Sequence, residues 1–182
     1  MAATDHTHTI SLVVRDKPGV LVRIALVFAR RGFNIESLSV SPGAIEGFSR
    51  MTITSNGTPG VLEQIVKHLS KLVDVVFATD HGGDDALEEE VALVKLRANA
   101  DGLAGAVALA RERGASVVHQ DDGRVILCCH GGSEAIDGLL SSLEHDHVEE
   151  IVRSGKIVID RGESDFADLL GGAPKSVPPP AR

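Results

Sequence analysis

From Thr9 to Arg15 the apolar residues Ile10, Leu12 and Val14 alternate with others, the period-two pattern of a half-buried strand. From Val20 the period changes. Val20, Leu21, Ile24, Val27 and Phe28 recur at helical spacing, with Arg23, Arg30 and Arg31 on other faces. Between the two patterns lies Asp16-Lys17-Pro18-Gly19. Asp16 is expected to cap the helix, Pro18 to suit its first turn, and Gly19 to let a second backbone or a ligand come close. Arg30 and Arg31 fall where the helix dipole favours cations, and Gly32 is the expected left-handed stop. A second strand is expected from Asn34. Residues 41–47 are turn-rich, and Phe48 to Thr54 alternates again with Met51 and Ile53 on one face. Asn56-Gly57-Thr58-Pro59 marks a turn and a helix start, followed by the stripe Leu62, Ile65, Val66, Leu69, Leu72. Val73, Val75 and Phe77 then read as a fourth strand. The order is βαββαβ, a ferredoxin-like unit.

The second half repeats the order in a different sequence. Val91 to Ala98 reads as a strand, and Asp101 is expected to cap a helix that runs through Arg113. Ala115–Gln120 and Arg124–His130 flank Asp121-Asp122-Gly123, a hairpin signal. Ser133 is expected to cap a helix carrying Ile136, Leu139, Leu140 and Leu143. Val148–Val152 and Ile157–Ile159 then supply a last strand or a bent pair. The fold expected is α+β, two βαββαβ units in tandem. The first spans residues 8–80, a polar Gly-rich linker 81–88, the second unit 89–162, and a Gly/Pro/Ser-rich tail 163–182 is expected to be disordered. Residues 1–8 are polar and expected to be loose.

Composition narrows the function classes. A net charge of −8 argues against a general nucleic-acid binder, which needs a positive footprint. The absence of a long uncharged apolar run argues against a membrane span. Residues 1–8 lack the basic and apolar regions of a signal peptide, and two adjacent cysteines do not make a disulfide framework, so a cytoplasmic setting is expected.

Candidate chemistry is sparse. Cys128, Cys129 and His130 fall late in an expected strand, where successive side chains point to opposite faces. One cysteine is expected in the core and its neighbour outward, with neither CxxC spacing nor a His–Asp partner to activate them. His6 and His8 are two ligands at most, too few for a metal site. Gly131-Gly132 is a turn and not a phosphate loop, because no G-x-x-x-x-G-K follows. No metal, cofactor or catalytic residue is therefore assigned to this chain. The strand–turn–helix at residues 9–32 offers something else. Free N–H groups at a helix start favour a carboxylate, and Asp16, Asn34, Val20 and Ile35 supply polar and small apolar neighbours. The pattern would suit a small amino acid, but taken bare it is more simply a plain capped helix on a sheet.

Asp16-Lys17-Pro18-Gly19-Val20-Leu21 resembles the first loop of ACT domains, which are small amino-acid-sensing modules. Arg30-Arg31-Gly32-Phe33-Asn34-Ile35-Glu36-Ser37-Leu38 and Ser49-Arg50-Met51-Thr52-Ile53 are similar to the small regulatory subunits of acetohydroxyacid synthase, also called acetolactate synthase. Leu93–Ala98 and Glu150–Ile157 agree, so the resemblance covers roughly residues 8–162. It implies a non-catalytic subunit that stimulates a large catalytic subunit carrying thiamine diphosphate, Mg and FAD, and that confers feedback inhibition by valine or another branched-chain amino acid. It also implies a homodimer through the ACT sheet with the effector at the interface. Asp16, Gly19, Val20 and Leu21 would come from one chain, and Asn34 and Ile35 from the other. Two departures stand out: many members have Asn in place of Asp16, and the loop Pro42–Gly47 differs from their usual Pro-Thr-Glu type of stretch. The alternative reading is a free-standing amino-acid-binding ACT protein that regulates another enzyme.

Overall fold

The computed structural model describes residues 6–82, 86–143 and 147–162. The expectations for residues 1–5, for the 163–182 tail, for 83–85 of the linker and for the turn at 144–146 lie outside these residues. By contacts the chain divides into two units, one running to Leu87 and resuming at Val158, the other spanning Glu88–Ile157.

The first unit runs β1 (His6–Arg15), α1 (Val20–Ala29), β2 (Ser37–Pro42), β3 (Phe48–Gly57), α2 (Pro59–Leu69) and β4 (Val75–Asp80). Its sheet is antiparallel in the order β2-β3-β1-β4. The register pairs Ile10 with Ile53, Leu12 with Met51 and Leu38 with Ile53, so the period-two residues share one face. Against that face pack Val20, Ile24 and Phe28 of α1 and Leu62, Ile65 and Leu69 of α2. The opposite face carries hydroxyls, with Ser11 opposite Thr52 and Thr9 opposite Thr54.

The second unit is built from β5 (Ala86–Arg97), α3 (Ala100–Glu112), β6 (Ser116–Asp121), β7 (Arg124–Gly131), α4 (Ser133–Ser142) and β8 (Val148–Arg153). Its strands are ordered β6-β7-β5-β8, and β9 (Ile157–Asp160) also pairs with β5. Its core joins Ala92, Val94, Leu96, Val125, Leu127 and Cys129 of the sheet to Leu103, Ala110, Ile136 and Leu139 of the helices. The chain is thus two ferredoxin-like units in tandem, each with its own core.

Several local expectations are corrected. Asp16 caps nothing: the N-cap of α1 is Gly19 at φ 82°, with no side-chain cap, and Pro18 lies outside the helix. In the second unit Asn99 caps α3 by accepting the Gly102 N–H at 2.9 Å, two residues before the expected Asp101. Gly132 stands at the N-cap of α4, so Ser133 is already inside the helix. Strand β2 begins at Ser37 and not Asn34, and Val73 is 91% exposed ahead of β4. The shift in register between Val13 and Val14 is why alternation misleads there: Val13 faces Phe77 while Val14 faces Val75. Residues 6–8, expected loose, open β1, and Ala86–Glu88, expected as linker, open β5.

Candidate functional site

The loop between β1 and α1 is held by main-chain bonds. The Arg15 N–H donates to Asp74 O at 2.8 Å and the Asp16 N–H to Gly47 O at 2.9 Å. These bonds fix Asp16 beside the 43–47 turn, with its carboxylate exposed. Gly19 then turns the chain through the left-handed region, which an L side chain resists; an added Cβ there would also stand 3.4 Å from the Arg23 guanidinium. Arg23 is held in turn by Asp74 at 2.5 Å. The Val20 N–H is drawn back to Lys17 O at 3.4 Å, and the Val20 side chain is core. With no side-chain cap and no acid in the first turn, the Leu21 and Val22 N–H groups are the ones left facing outward. The anion-favouring N–H groups therefore lie two residues further along than Gly19 and Val20. Leu21 is 40% exposed, free to touch a ligand or another chain.

Asn34 and Ile35 stand at the other end of α1. The helix stops where the Gly32 N–H meets Ala29 O at 3.1 Å and the Phe33 N–H reaches back to Phe28 O at 3.1 Å, with Gly32 at φ 73°. Asn34 follows, exposed, its carbonyl accepting from Ser55 Oγ at 2.7 Å and its amide donating to Glu36 Oε1 at 3.0 Å. Ile35 is half-buried against the core. Ser55 and Glu36 were not expected at this site; the spacing Asn34–Glu36 was the one available signal, since alternate positions of an extended chain lie on one side.

A helix of this length, Val20–Ala29, spans about 15 Å. One chain therefore brings Asp16, Gly19, Val20 and Leu21 together, brings Asn34 and Ile35 together, and keeps the two groups apart. Beside them β2 is an edge strand, and α1 shows Val22 at 61% and Leu26 at 43% exposure.

The other polar groups are engaged structurally. Cys129 is buried and donates to Ala92 O at 3.5 Å; burial, then the neighbouring Cys128, pushes its thiol up, the opposite of activation. Cys128 is half-buried on the opposite face. His8 Nδ1 lies 2.7 Å from Asp80 Oδ2, joining β1 to β4. In the second unit Glu90, 4% exposed, is paired with Arg153, which also donates to Asp137 at 2.6 Å. The Glu90 hydrogen bond in turn raises the Arg153 guanidinium further. Among the described residues no group of three or more His, Cys, Asp or Glu is placed to hold a metal, and no helix is long and apolar enough to cross a membrane.

Comparison with known proteins covers both units. Residues 10–77 match the family described as "AHAS small subunit-like ACT domain", and residues 89–162 that described as "Small subunit of acetolactate synthase". The acetolactate synthase small subunit of Mycobacterium leprae is 39% identical over 156 residues, 86% of this chain and 92% of that one. A probable acetolactate synthase small subunit of Methanothermobacter thermautotrophicus is 37% identical over 86% of this chain and 94% of its own. Among solved structures, the acetolactate synthase small subunit from Thermotoga maritima superposes with a TM-score of 0.78 at 32% identity, covering 87% of this chain and 99% of that one.

Proposed function

Since this chain belongs to the acetolactate synthase small-subunit family, we propose that it is the regulatory subunit of an acetolactate synthase, stimulating the catalytic subunit and making it sensitive to valine or a related branched-chain amino acid. The observation that carries the effector reading is the division of the candidate site. Two clusters of suitable residues stand at opposite ends of α1, too far apart to hold one amino acid. A second copy, paired along the open edge of β2 and the exposed side of α1, would set the Asn34 end of one chain against the Asp16 end of the other. Burial of Val22 and Leu26 and satisfaction of the β2 edge would drive that pairing.

In such a dimer the effector carboxylate meets the uncapped Leu21 and Val22 N–H groups at the positive end of α1. The tight turn at Gly19 lets the ligand approach the backbone. Asp16 faces the ammonium, Leu21 and the partner copy's Ile35 contact the aliphatic side chain, and the partner copy's Asn34 amide bridges the charged ends. Inhibition follows when the inhibited assembly binds the effector more tightly than the active one, since equal affinity shifts nothing. Thiamine diphosphate, Mg and FAD belong to the catalytic subunit on this reading. The match of the second unit to the same family weighs against the free-standing alternative.

Reconstitution tests the proposal. The purified catalytic subunit should gain activity when this chain is added and lose that gain in valine. Valine should also raise the melting temperature of the isolated chain, as a native-state ligand must, and lysine should not. A catalytic subunit indifferent to this chain would refute the regulatory role; equal shifts from valine and lysine would refute the site.

A further inference from the structure

A groove of about 680 Å³ runs between the end of α1 and α2, lined by Val27, Arg30, Arg31, Phe33, Val61 and His68. Its charge is unusual for a chain of net charge −8. Arg31 donates to two neutral groups, Gln64 Oε1 at 3.1 Å and His68 Nε2 at 2.7 Å. The His68 ring is set by its other nitrogen, which donates to Gln64 O at 2.7 Å, so Nε2 is left as the acceptor for Arg31 and neither partner is a carboxylate. The Arg31 guanidinium is thus held in place without being neutralised. Arg30 is exposed and has no carboxylate partner among the described residues, while Glu63 of α2 is taken up by Lys67. Two fixed or available guanidiniums therefore flank an apolar floor of Val27, Val61 and Phe33.

We propose that this groove receives an acidic segment of the catalytic subunit, with carboxylates on Arg30 and Arg31 and an apolar side chain on the floor between them; the inference rests on the regulatory-subunit reading above. The chemistry selects this occupant. An isologous contact with a second copy would set the same guanidiniums against each other across the two-fold axis, which repels. A nucleic acid would have to approach a strongly anionic chain. A carboxylate-bearing protein surface meets both the charge and the apolar floor, and guanidinium–carboxylate pairing gives it direction.

The test uses the full chain and the purified catalytic subunit. Arg30→Glu with Arg31→Glu should weaken association, read by calorimetric titration and by the concentration needed for stimulation, by roughly tenfold or more. Arg30→Gln with Arg31→Gln should fall between that and the unaltered chain. Association of the unaltered chain should weaken as salt is added, and that of the charge-reversed chain should not. Both variants should keep the melting temperature, the oligomeric state and the valine-induced shift, because neither arginine is buried. Equal association of the unaltered and charge-reversed chains overturns the inference and leaves the regulatory reading standing. A change in oligomeric state in the charge-reversed chain also overturns it, by assigning the groove to contacts between copies. Failure of the unaltered chain itself to associate overturns both.

Discussion

Asp16 shows what a single residue's surroundings can decide. Read along the chain it is a helix cap; in the fold its side chain is exposed and the cap position belongs to Gly19. Capping is chosen by backbone dihedrals, and a left-handed glycine three residues later takes the position whatever acid precedes it. With no capping role, Asp16→Asn should leave the melting temperature without ligand unchanged. Facing the effector's ammonium from an exposed position, it should contribute as a surface ion pair, so calorimetry should find valine bound about two- to fivefold more weakly. Tighter binding would instead put Asp16 against the carboxylate. Cys129, by contrast, was legible: alternation alone assigned one thiol to the core and one away from it, as found. Its consequence is pH-dependent. Burial raises the thiol above its usual 9.0, so the native state keeps a proton that the unfolded chain releases. Stability is then full below about pH 9 and falls as pH rises toward the native value. The sequence has no tyrosine to titrate in that range. Melting temperature should therefore decline above about pH 9, and Cys129→Ala should flatten that decline even though its starting value is lower.

At the scale of elements, hydrophobic period located the helices and most of the strands, because burial of one stripe decides where each sits. It missed the ends. Asn99, not Asp101, caps α3, and β2 starts three residues late because Asn34 and Glu36 are occupied with each other and with β3. Polar side chains choose partners by geometry that no periodicity records. Two predictions belong here. Val22 stands 61% exposed on α1, so Val22→Asp should alter monomer stability by no more than about 0.5 kcal/mol. If α1 and the β2 edge join two copies, the buried carboxylate should split the dimer in sedimentation at micromolar concentration; an unchanged dimer would move the interface elsewhere. Arg153 ties β8 to β5 and α4 through Glu90 and Asp137. Arg153→Ala strands the buried Glu90 carboxylate and should cost about 3–5 kcal/mol in urea unfolding. Pairing Arg153→Met with Glu90→Leu should recover most of it, since the charge pair specifies more than it stabilises.

For the whole molecule, the repetition of βαββαβ was readable because the first half completes its periodicity before the Gly-Gly stretch and the second begins its own after it. The path of β9 was not: Ile157, Val158 and Ile159 alternate as any strand does, and alternation names a strand without naming the unit it contacts. The two cores are nevertheless separate. Every buried member of the first lies between Ile10 and Val75, and every one of the second between Ala92 and Leu143. The first sheet's other face carries Thr9, Ser11, Thr52 and Thr54, which are buried in the full chain but bear hydroxyls that can hydrogen-bond to water once uncovered. A fragment ending at Gly82 therefore keeps all of its own core, both halves of the candidate effector site and the β2 edge. What it loses is β9, whose Asp160 acts on Arg50, a guanidinium that burial pulls below its usual value. We expect residues 1–82 to dimerise and to gain thermal stability from valine as the full chain does. A fragment that is folded yet monomeric at micromolar concentration would show that the second unit, and not the β2 edge, holds the copies together. One that dimerises but ignores valine would show that the effector site needs residues beyond Gly82.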